Sequence, residues 1–329
     1  MQAFEYAHPE SVKAALALLG PHWTDAEVLA GGTDLLALMK DYVVAPKRVV
    51  SIKGITELGG IDAGATETKI GALVNFEELL ASDHIKTEFA ALSQAAAGIS
   101  SPQIRTMGTV GGDLCQRPRC WYFRAGYGLL ALGPDGKSLV PGGDNRYHAI
   151  LGNTGPAYFV SPSSLGPALI ALDATVHLSS AAGARAVPAS TFFRTPKTAA
   201  ERETALMPGD VLTHITIPAA SRGMKTATYE IRQREALDWP LATASVALKM
   251  HGSTVQSARI VLGHVAPVPW PAPAAERVVA GHAIDDALAL QAGDAAVAGA
   301  HPLSDNGYKV QLARIAVKRA LLAAVQQGA

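Results

Sequence analysis

"VLAGGTDLLALMK", residues 28–40, sets two bare glycines between a β-prone run and a helix-prone one. A turn alone would account for Gly31-Gly32, because glycine adopts backbone angles that other residues resist. A ligand would account for them equally well. Without a Cβ the backbone can approach a bound group closely, and the helix start beyond it offers unpaired N–H groups and a partial positive charge. That combination holds phosphate without a lysine.

The flanks place this stretch in a small layered unit. "FEY" (4–6) predicts a strand, and Val12, Ala15, Leu16 and Leu19 recur at helical spacing before Gly20-Pro21 stops the helix. "EVLA" (27–30) and "RVVSI" (48–52) predict two more strands. "TDLLALMKD" (33–41) predicts a second helix, with Thr33 or Asp34 as its cap. The order β-α-β-α-β implies a sheet covered by helices.

The same arrangement returns downstream. In "SPQIRTMGTVGGDLCQRPRCWYFR" (101–124), Thr109 to Asp113 again sets a β-branched residue ahead of Gly111-Gly112, an aspartate and a leucine. Two loops of one type suggest a pyrophosphate held between two subdomains. Neither a G-x-G-x-x-G after the first strand nor a G-x-x-x-x-G-K-[ST] is present, so a Rossmann fingerprint and a P-loop are excluded.

Between the two loops "TKIGALV" (68–74) predicts a strand, followed by helices around "NFEELLAS" and "TEFAALSQAAAGI". Residues 117–156 form a glycine-rich loop region of a length that implies a function. "SSLGPALIALDA" predicts a helix, and "TVHLSS", "RAVPAS" and "VLTHITIP" predict strands. After Pro218 the pattern changes: "TATYEIRQ", "TASVALKMHG" and "SARIVLGHV" predict consecutive antiparallel strands, and two helices close the sequence. A domain boundary is expected near Ser221.

Composition narrows the function. The 329 residues suit two or three domains, and a formal net charge of zero argues against a nucleic-acid partner. No apolar run reaches the length of a membrane span. Cys115 and Cys120 are the only cysteines, too few for a four-cysteine metal or iron–sulfur site. The start of the sequence carries Glu5 and Glu10 and no apolar stretch, so no secretory signal is expected.

"AGGTDLLALMK", "SPQIRTMGTVGGDLCQRPRCWYFR", "NRYHAILG" (145–152) and "ARIVLGHVAPVPW" (258–270), in this order, resemble the FAD-binding medium subunit of molybdenum hydroxylases. That family comprises the xanthine dehydrogenases, carbon monoxide dehydrogenases and aldehyde oxidoreductases, and "CWYFR" is most similar to the flavin subunit of bacterial periplasmic-type aldehyde oxidoreductases. The resemblance implies an α+β chain with a vanillyl-alcohol-oxidase (PCMH-type) FAD-binding fold. Its two α/β subdomains would cover about 1–55 and 56–221. A C-terminal domain over 222–329 would hold a three-stranded antiparallel sheet with helices.

The resemblance also implies noncovalent FAD and two partner subunits, a small one with [2Fe-2S] clusters and a large one with molybdopterin. Electrons would reach this flavin and pass to an external acceptor: oxygen, NAD or quinone. The compartment implied is the cytoplasm, or the periplasm if the chain is exported with a signal-bearing partner.

Position by position, the resemblance puts Val28, Leu29, Ala30, Gly31, Gly32, Thr33, Asp34 and Leu35 around the pyrophosphate, with Thr109, Gly111, Gly112 and Asp113 as the second loop. Ile99 and Trp239 match positions beside the isoalloxazine ring, and Ser164 and Leu165 complete the set. Two departures stand out. Asp113 replaces a more usual asparagine; it loses the amide donor but can still cap the following helix. Ser164 replaces a common aspartate. Cys120 matches the first of four cysteines that hold an extra [4Fe-4S] cluster in some relatives, and the other three have no counterpart, so no iron–sulfur cluster is expected in this chain.

Other residues have more ordinary readings. Arg117, Arg119 and Arg124 near Trp121, Tyr122 and Phe123 suit either cation–π packing or a docking surface for the iron–sulfur subunit. Asp144, Arg146 and His148 suit loop hydrogen bonding rather than a catalytic set, since no nucleophile accompanies them. His177 is expected to face solvent, and Tyr308, Leu312, Ile315 and Val317 to form a core stripe. His264 is assigned no chemistry. A self-contained flavin oxidase or reductase, and a scaffold that has lost FAD, remain the alternatives. The alanine- and valine-rich segment after 222 disfavours the first and the two intact Gly-Gly pairs disfavour the second.

Overall fold

Glu5–Ala7 (β1), Ala26–Leu29 (β2) and Arg48–Ser51 (β3) form a parallel sheet in the order β1-β3-β2, with Val12–Leu18 (α1) and Leu35–Lys40 (α2) as the crossovers. The computed structural model describes residues 1–99, 101–234 and 239–326. Successive side chains of β3 point to opposite faces. Val50 packs with Ala15 and Leu58 on one face, and Val49 packs with Leu29 and Met39 on the other.

Ile61–Ala63 (β4) and Glu67–Gly71 (β5) begin a second, antiparallel sheet. The predicted strand over 68–74 stops at Gly71, where the Ala72 amide turns to the Thr213 carbonyl and Asn75 starts Phe76–Ala81 (α3) with a reciprocal capping box through Glu78. Four short helices follow: Asp83–Glu88 (α4), Ala90–Ala97 (α5), Pro102–Met107 (α6) and Val110–Cys115 (α7). Gly166–Ala171 (α8) leads to Thr175–Ser180 (β6), Gly183–Pro188 (β7), Ala189–Phe192 (α9) and Val211–Pro218 (β8). The sheet order is β4-β5-β8-β6-β7, and its core joins Ile70, Val176 and Ile215 to Leu79, Phe89 and Leu92. His177 of β6 is only half-exposed: it stacks on His214 at 4.1 Å and bonds Thr216 through Nε2 at 3.0 Å, so it does not simply face solvent.

The third sheet comprises Lys225–Ile231 (β9), Ala242–His251 (β10), Thr254–Gly263 (β11) and Trp270–Pro271 (β12), in the order β12-β11-β10-β9. Three strands were expected. The fourth is a two-residue edge strand hidden in a run punctuated by Pro267, Pro269 and Pro271, residues that argue against a strand because proline lacks the N–H donor. Pro273–Val279 (α10), Asp286–Val297 (α11) and Tyr308–Gln326 (α12) cover this sheet.

The buried stripe of α12 is Ala313, Ala316, Val317, Ala320, Leu321 and Ala324, while Tyr308 is exposed and donates its hydroxyl hydrogen to the Arg146 carbonyl. Small side chains win that face because α11 approaches closely. A Cβ at Gly293 would overlap the Arg314 carbonyl oxygen. Among the described residues no helix is long and apolar enough to cross a membrane.

Residues 117–156 are long but internally anchored. Leu129 and Leu130 join a core with Leu38 and Phe159. Asn145 donates to Ser304 at 2.8 Å and accepts from the Asp305 amide at 2.9 Å. The buried Lys309 ammonium donates to the carbonyls of Tyr147, His148 and His264 at 3.1, 3.2 and 2.7 Å.

Candidate cofactor site

The three-stranded sheet and the five-stranded sheet both line a cavity of about 170 Å³, which adjoins a second of about 420 Å³ walled by helix ends and loops. Thr33, Asp34, Thr109, Gly112 and Gln116 line both, so one groove runs past the two Gly-Gly pairs. Val28, Ala30, Gly31, Gly32, Leu35 and Gly111 line the first cavity; Ile99, Asp113, Ser164 and Trp239 line the second. Leu29 and Leu165 stand behind this surface in the core, and Leu165 contributes its amide to Asp113.

The two Gly-Gly pairs differ in their physics. Gly32 has φ +79°, a conformation that side chains resist. From Gly31 to Leu35 the backbone amides find no acceptor in the described protein. Such a run of free N–H groups beside a helix start is an anion-binding concavity. Gly31 is glycine for a second reason, since a Cβ there would overlap the Met107 carbonyl.

At the second pair the glycines lie inside the first turn of α7 rather than in a loop before it. Their amides are already spent: Gly111 donates to the Ala72 carbonyl at 2.9 Å and Gly112 to the Thr109 hydroxyl at 3.0 Å. This pair supplies bare backbone to the groove wall, and the first supplies the donors.

Asp34, one of the two expected caps with Thr33, holds the N-cap position of α2, but its side chain makes no capping hydrogen bond. Its Oδ1 accepts from Arg124 at 2.7 Å and forms an ion pair with Arg119 at 2.9 Å, and its Oδ2 accepts from the Arg117 amide at 2.8 Å. Two guanidiniums on one carboxylate leave the turn net positive, which suits a phosphate neighbour. The arginines of 117–124 therefore point inward, and of the two readings their side chains serve cation–π packing, with Arg117 and Arg124 over the Phe123 ring. Side-chain exposure is 13% for Arg117 and 16% for Arg124, because the buried carboxylate of Glu203 and the half-buried one of Asp34 draw them in. Arg119 lies over the Trp239 ring at 4.6 Å.

Asp113 caps a different helix from the one expected. It accepts from Ser163 Oγ, from the Ser164 amide at 3.2 Å and from the Leu165 amide at 3.0 Å, which fixes the entry to α8. Burial pushes its carboxyl up to about 6, against the pull of those donors. Ser164 thus bonds Asp113 through its backbone, and the serine-for-aspartate departure leaves that contact intact.

Sequence reasoning missed the far walls. At the first cavity Arg202 stacks over Trp23 at 3.8 Å and pairs with Glu27 at 3.4 Å, and Glu203 pairs with Arg117. Burial raises the Glu27 carboxyl, opposed by Arg202 and Arg117. Glu203, on the wall of this cavity, has its Oε2 buried with no hydrogen-bond partner among the described residues. Gln116 and Arg232 were also missed. None of these residues sits in a spaced motif; they meet only across the fold.

An FAD fits these residues: free amides for the pyrophosphate, one unpartnered carboxylate oxygen and a tryptophan toward one end, and a broad cavity walled by Ile99 and Trp239 toward the other. Neither cysteine offers a cluster site. Cys115 is half-buried with its thiol pushed up to about 12, first by desolvation and then by nearby carboxylates, and Cys120 lies 3.2 Å from His148 Nε2. Among the described residues no group of three or more His, Cys, Asp or Glu could hold a metal. The Asp144–Arg146 pair is exposed and separate from His148, which is loop hydrogen bonding as expected.

Comparison with known proteins agrees with the geometry. Residues 2–220 match the FAD binding domain in molybdopterin dehydrogenase, and residues 227–324 match the CO dehydrogenase flavoprotein C-terminal domain. The aldehyde oxidoreductase FAD-binding subunit PaoB of Escherichia coli (strain K12) is 31% identical, covering 95% of this chain and 96% of its own. The carbon monoxide dehydrogenase medium chain of Hydrogenophaga pseudoflava is 32% identical over 98% of this chain and 96% of its own. Among solved structures, a carbon monoxide dehydrogenase from Hydrogenophaga pseudoflava superposes with a TM-score of 0.76 at 32% identity, over 98% of this chain and 97% of that one. Quinoline 2-oxidoreductase from Pseudomonas putida 86 superposes with a TM-score of 0.77 at 25% identity, over 99% and 98%.

Proposed function

This chain belongs to the FAD-binding medium subunits of the molybdenum hydroxylases, and we propose that it works as the electron-transfer subunit of a heterotrimer. Its partners are a small subunit with [2Fe-2S] clusters and a large subunit with molybdopterin. Reducing equivalents arrive from the clusters and leave to an external acceptor. FAD, when bound, supplies the redox chemistry. The chain's own residues bind and orient: the amides of Gly31 to Leu35 take the pyrophosphate, the Gly111-Gly112 backbone closes the opposite wall, and Ile99 and Trp239 flank the ring.

The observation that carries this reading is the run of acceptor-free amides beside a net-positive turn, inside a groove that passes both Gly-Gly pairs. A division near Ser221 is supported by the sheets, since the first two use strands up to Pro218 and the third begins at Lys225. The cytoplasm is the compartment proposed, with co-export to the periplasm as the alternative. Affinity purification of the tagged chain from its native host tests the assembly. Co-elution of an iron–sulfur protein and a molybdopterin protein is the expected result; a chain that elutes alone yet turns over a substrate would replace the proposal with a self-contained oxidoreductase.

A further inference from the structure

The broad cavity holds a guanidinium that no loop motif announces. Arg232 follows the end of β9, and its side chain is only 11% exposed; Glu230, two residues earlier, is 9% exposed. Arg232 donates through Nη2 to the Glu230 carboxylate and to the Gly98 carbonyl. Gly98 is a place of close approach, since a Cβ there would overlap that carboxylate. The pair therefore locks β9 of the third sheet onto the residue that follows α5, one step before Ile99.

This pair is expensive to bury. Glu230 Oε1 has no partner, and burial raises the carboxyl to about 6 despite the neighbouring guanidinium. Buried ion pairs contribute little to stability compared with apolar replacements. What this pair does provide is a guanidinium held in place on a cavity wall, with its carboxylate partner set back from the lining. The other guanidinium there, Arg119, is tied to Asp34 and Gln116 and lies flat on Trp239.

Resting on the reading that this groove holds FAD, we propose that Arg232 sets the reduction potential of the flavin, and that Glu230 is a positioning residue that aims it. Taking up two electrons and one proton leaves a neutral flavin ring with one negative charge. A fixed cation in a site of low dielectric favours that charged state and draws the potential upward.

Spectroelectrochemical titration of the FAD-loaded chain tests this, with Arg232→Gln, Arg232→Lys and Glu230→Gln beside Arg259→Gln as a remote control; Arg259 pairs with Asp173 away from the groove. Arg232→Gln should lower the midpoint potential by about 30 mV or more, a tenfold loss of preference for the reduced flavin. Arg232→Lys should recover part of it, Glu230→Gln, which keeps an oxygen for the guanidinium but removes the opposing charge, should raise the potential above wild type, and Arg259→Gln should match wild type. Wild-type potential in Arg232→Gln, or no recovery with lysine, overturns the assignment. Should the glutamine variant not fold, wild-type potential in both Arg232→Lys and Glu230→Gln overturns it instead. A wild-type chain that retains no FAD overturns the cofactor reading, and this assignment with it.

Discussion

Arg124 donates from Nη2 to Asp34 Oδ1 at 2.7 Å, which ties the arginine-rich segment to the first Gly-Gly turn. Arg124→Ala should cost about 2 kcal/mol of stability, the scale of a lost hydrogen bond to a charged group, and should weaken FAD retention. Arg146→Ala removes only an exposed pair with Asp144 and should stay within about 0.5 kcal/mol of wild type. Chemical denaturation and flavin content of the three proteins decide the matter; equal losses in both variants would detach Asp34 and Arg124 from the site. Trp121, half-buried and free of the carboxylates, is the better probe of partner docking: Trp121→Ala should keep FAD but weaken co-purification.

Gly32→Val should reduce FAD affinity at least tenfold. The positive φ costs a branched side chain about 1–3 kcal/mol, and the new atoms press on Leu29 and Leu36. Gly112→Val acts sterically, by crowding the Thr109 hydroxyl that caps α7. Titration of the apoprotein with FAD reads both, and wild-type affinity in the pair would remove these turns from the groove.

The groove offers contacts but no sulfur or imidazole aimed to form a flavin linkage: of its wall residues only Cys115 is a candidate, and its thiol is held protonated. Acid precipitation should therefore release all flavin to the supernatant, as FAD. Yellow precipitate would contradict noncovalent binding, and FMN would remove the need for a pyrophosphate site.

His264 sits buried at φ +62° with Nδ1 2.7 Å from Thr243 Oγ1, and burial, followed by the nearby Lys309 charge, lowers its pKa to about 3. Its folded pKa lies below the unfolded value of 6.5, so the unfolded state binds more protons between the two. Stability from this group is whole above pH 6.5 and is lost as pH falls toward 3. At pH 5 the loss is about 2 kcal/mol. His148, lowered to about 4 mainly by burial, adds to the same slope. His264→Asn keeps a residue that tolerates positive φ and removes one titration, so its stability difference between pH 7.5 and pH 5 should shrink. An unchanged difference would assign the slope elsewhere.

Iron analysis of the chain purified alone under anaerobic conditions should find none at stoichiometric level, because a cluster needs about four thiolates and two cysteines exist. Stoichiometric iron with cluster absorbance would reverse that expectation.

The order of strands and helices through residue 52, the two Gly-Gly pairs and the antiparallel C-terminal strands were legible because each depends on neighbours in sequence: alternation, helical spacing, caps and turn residues. The sequence by itself determined which backbone segments could border a ligand. It could not determine which amides stay free. Gly31 and Gly111 look alike in sequence, yet Ala72 claims the amide of Gly111 and nothing claims that of Gly31. Only the tertiary structure turned the Asp34 side chain from a helix cap into the ion-pair partner of Arg119 and Arg124, moved the Asp113 cap onto α8, and brought Arg232 beside Ile99. The physical reason is range. Propensity and capping act over three or four residues, whereas a buried charge is satisfied by whichever opposite charge the packed elements bring within about 4 Å, however distant in the chain.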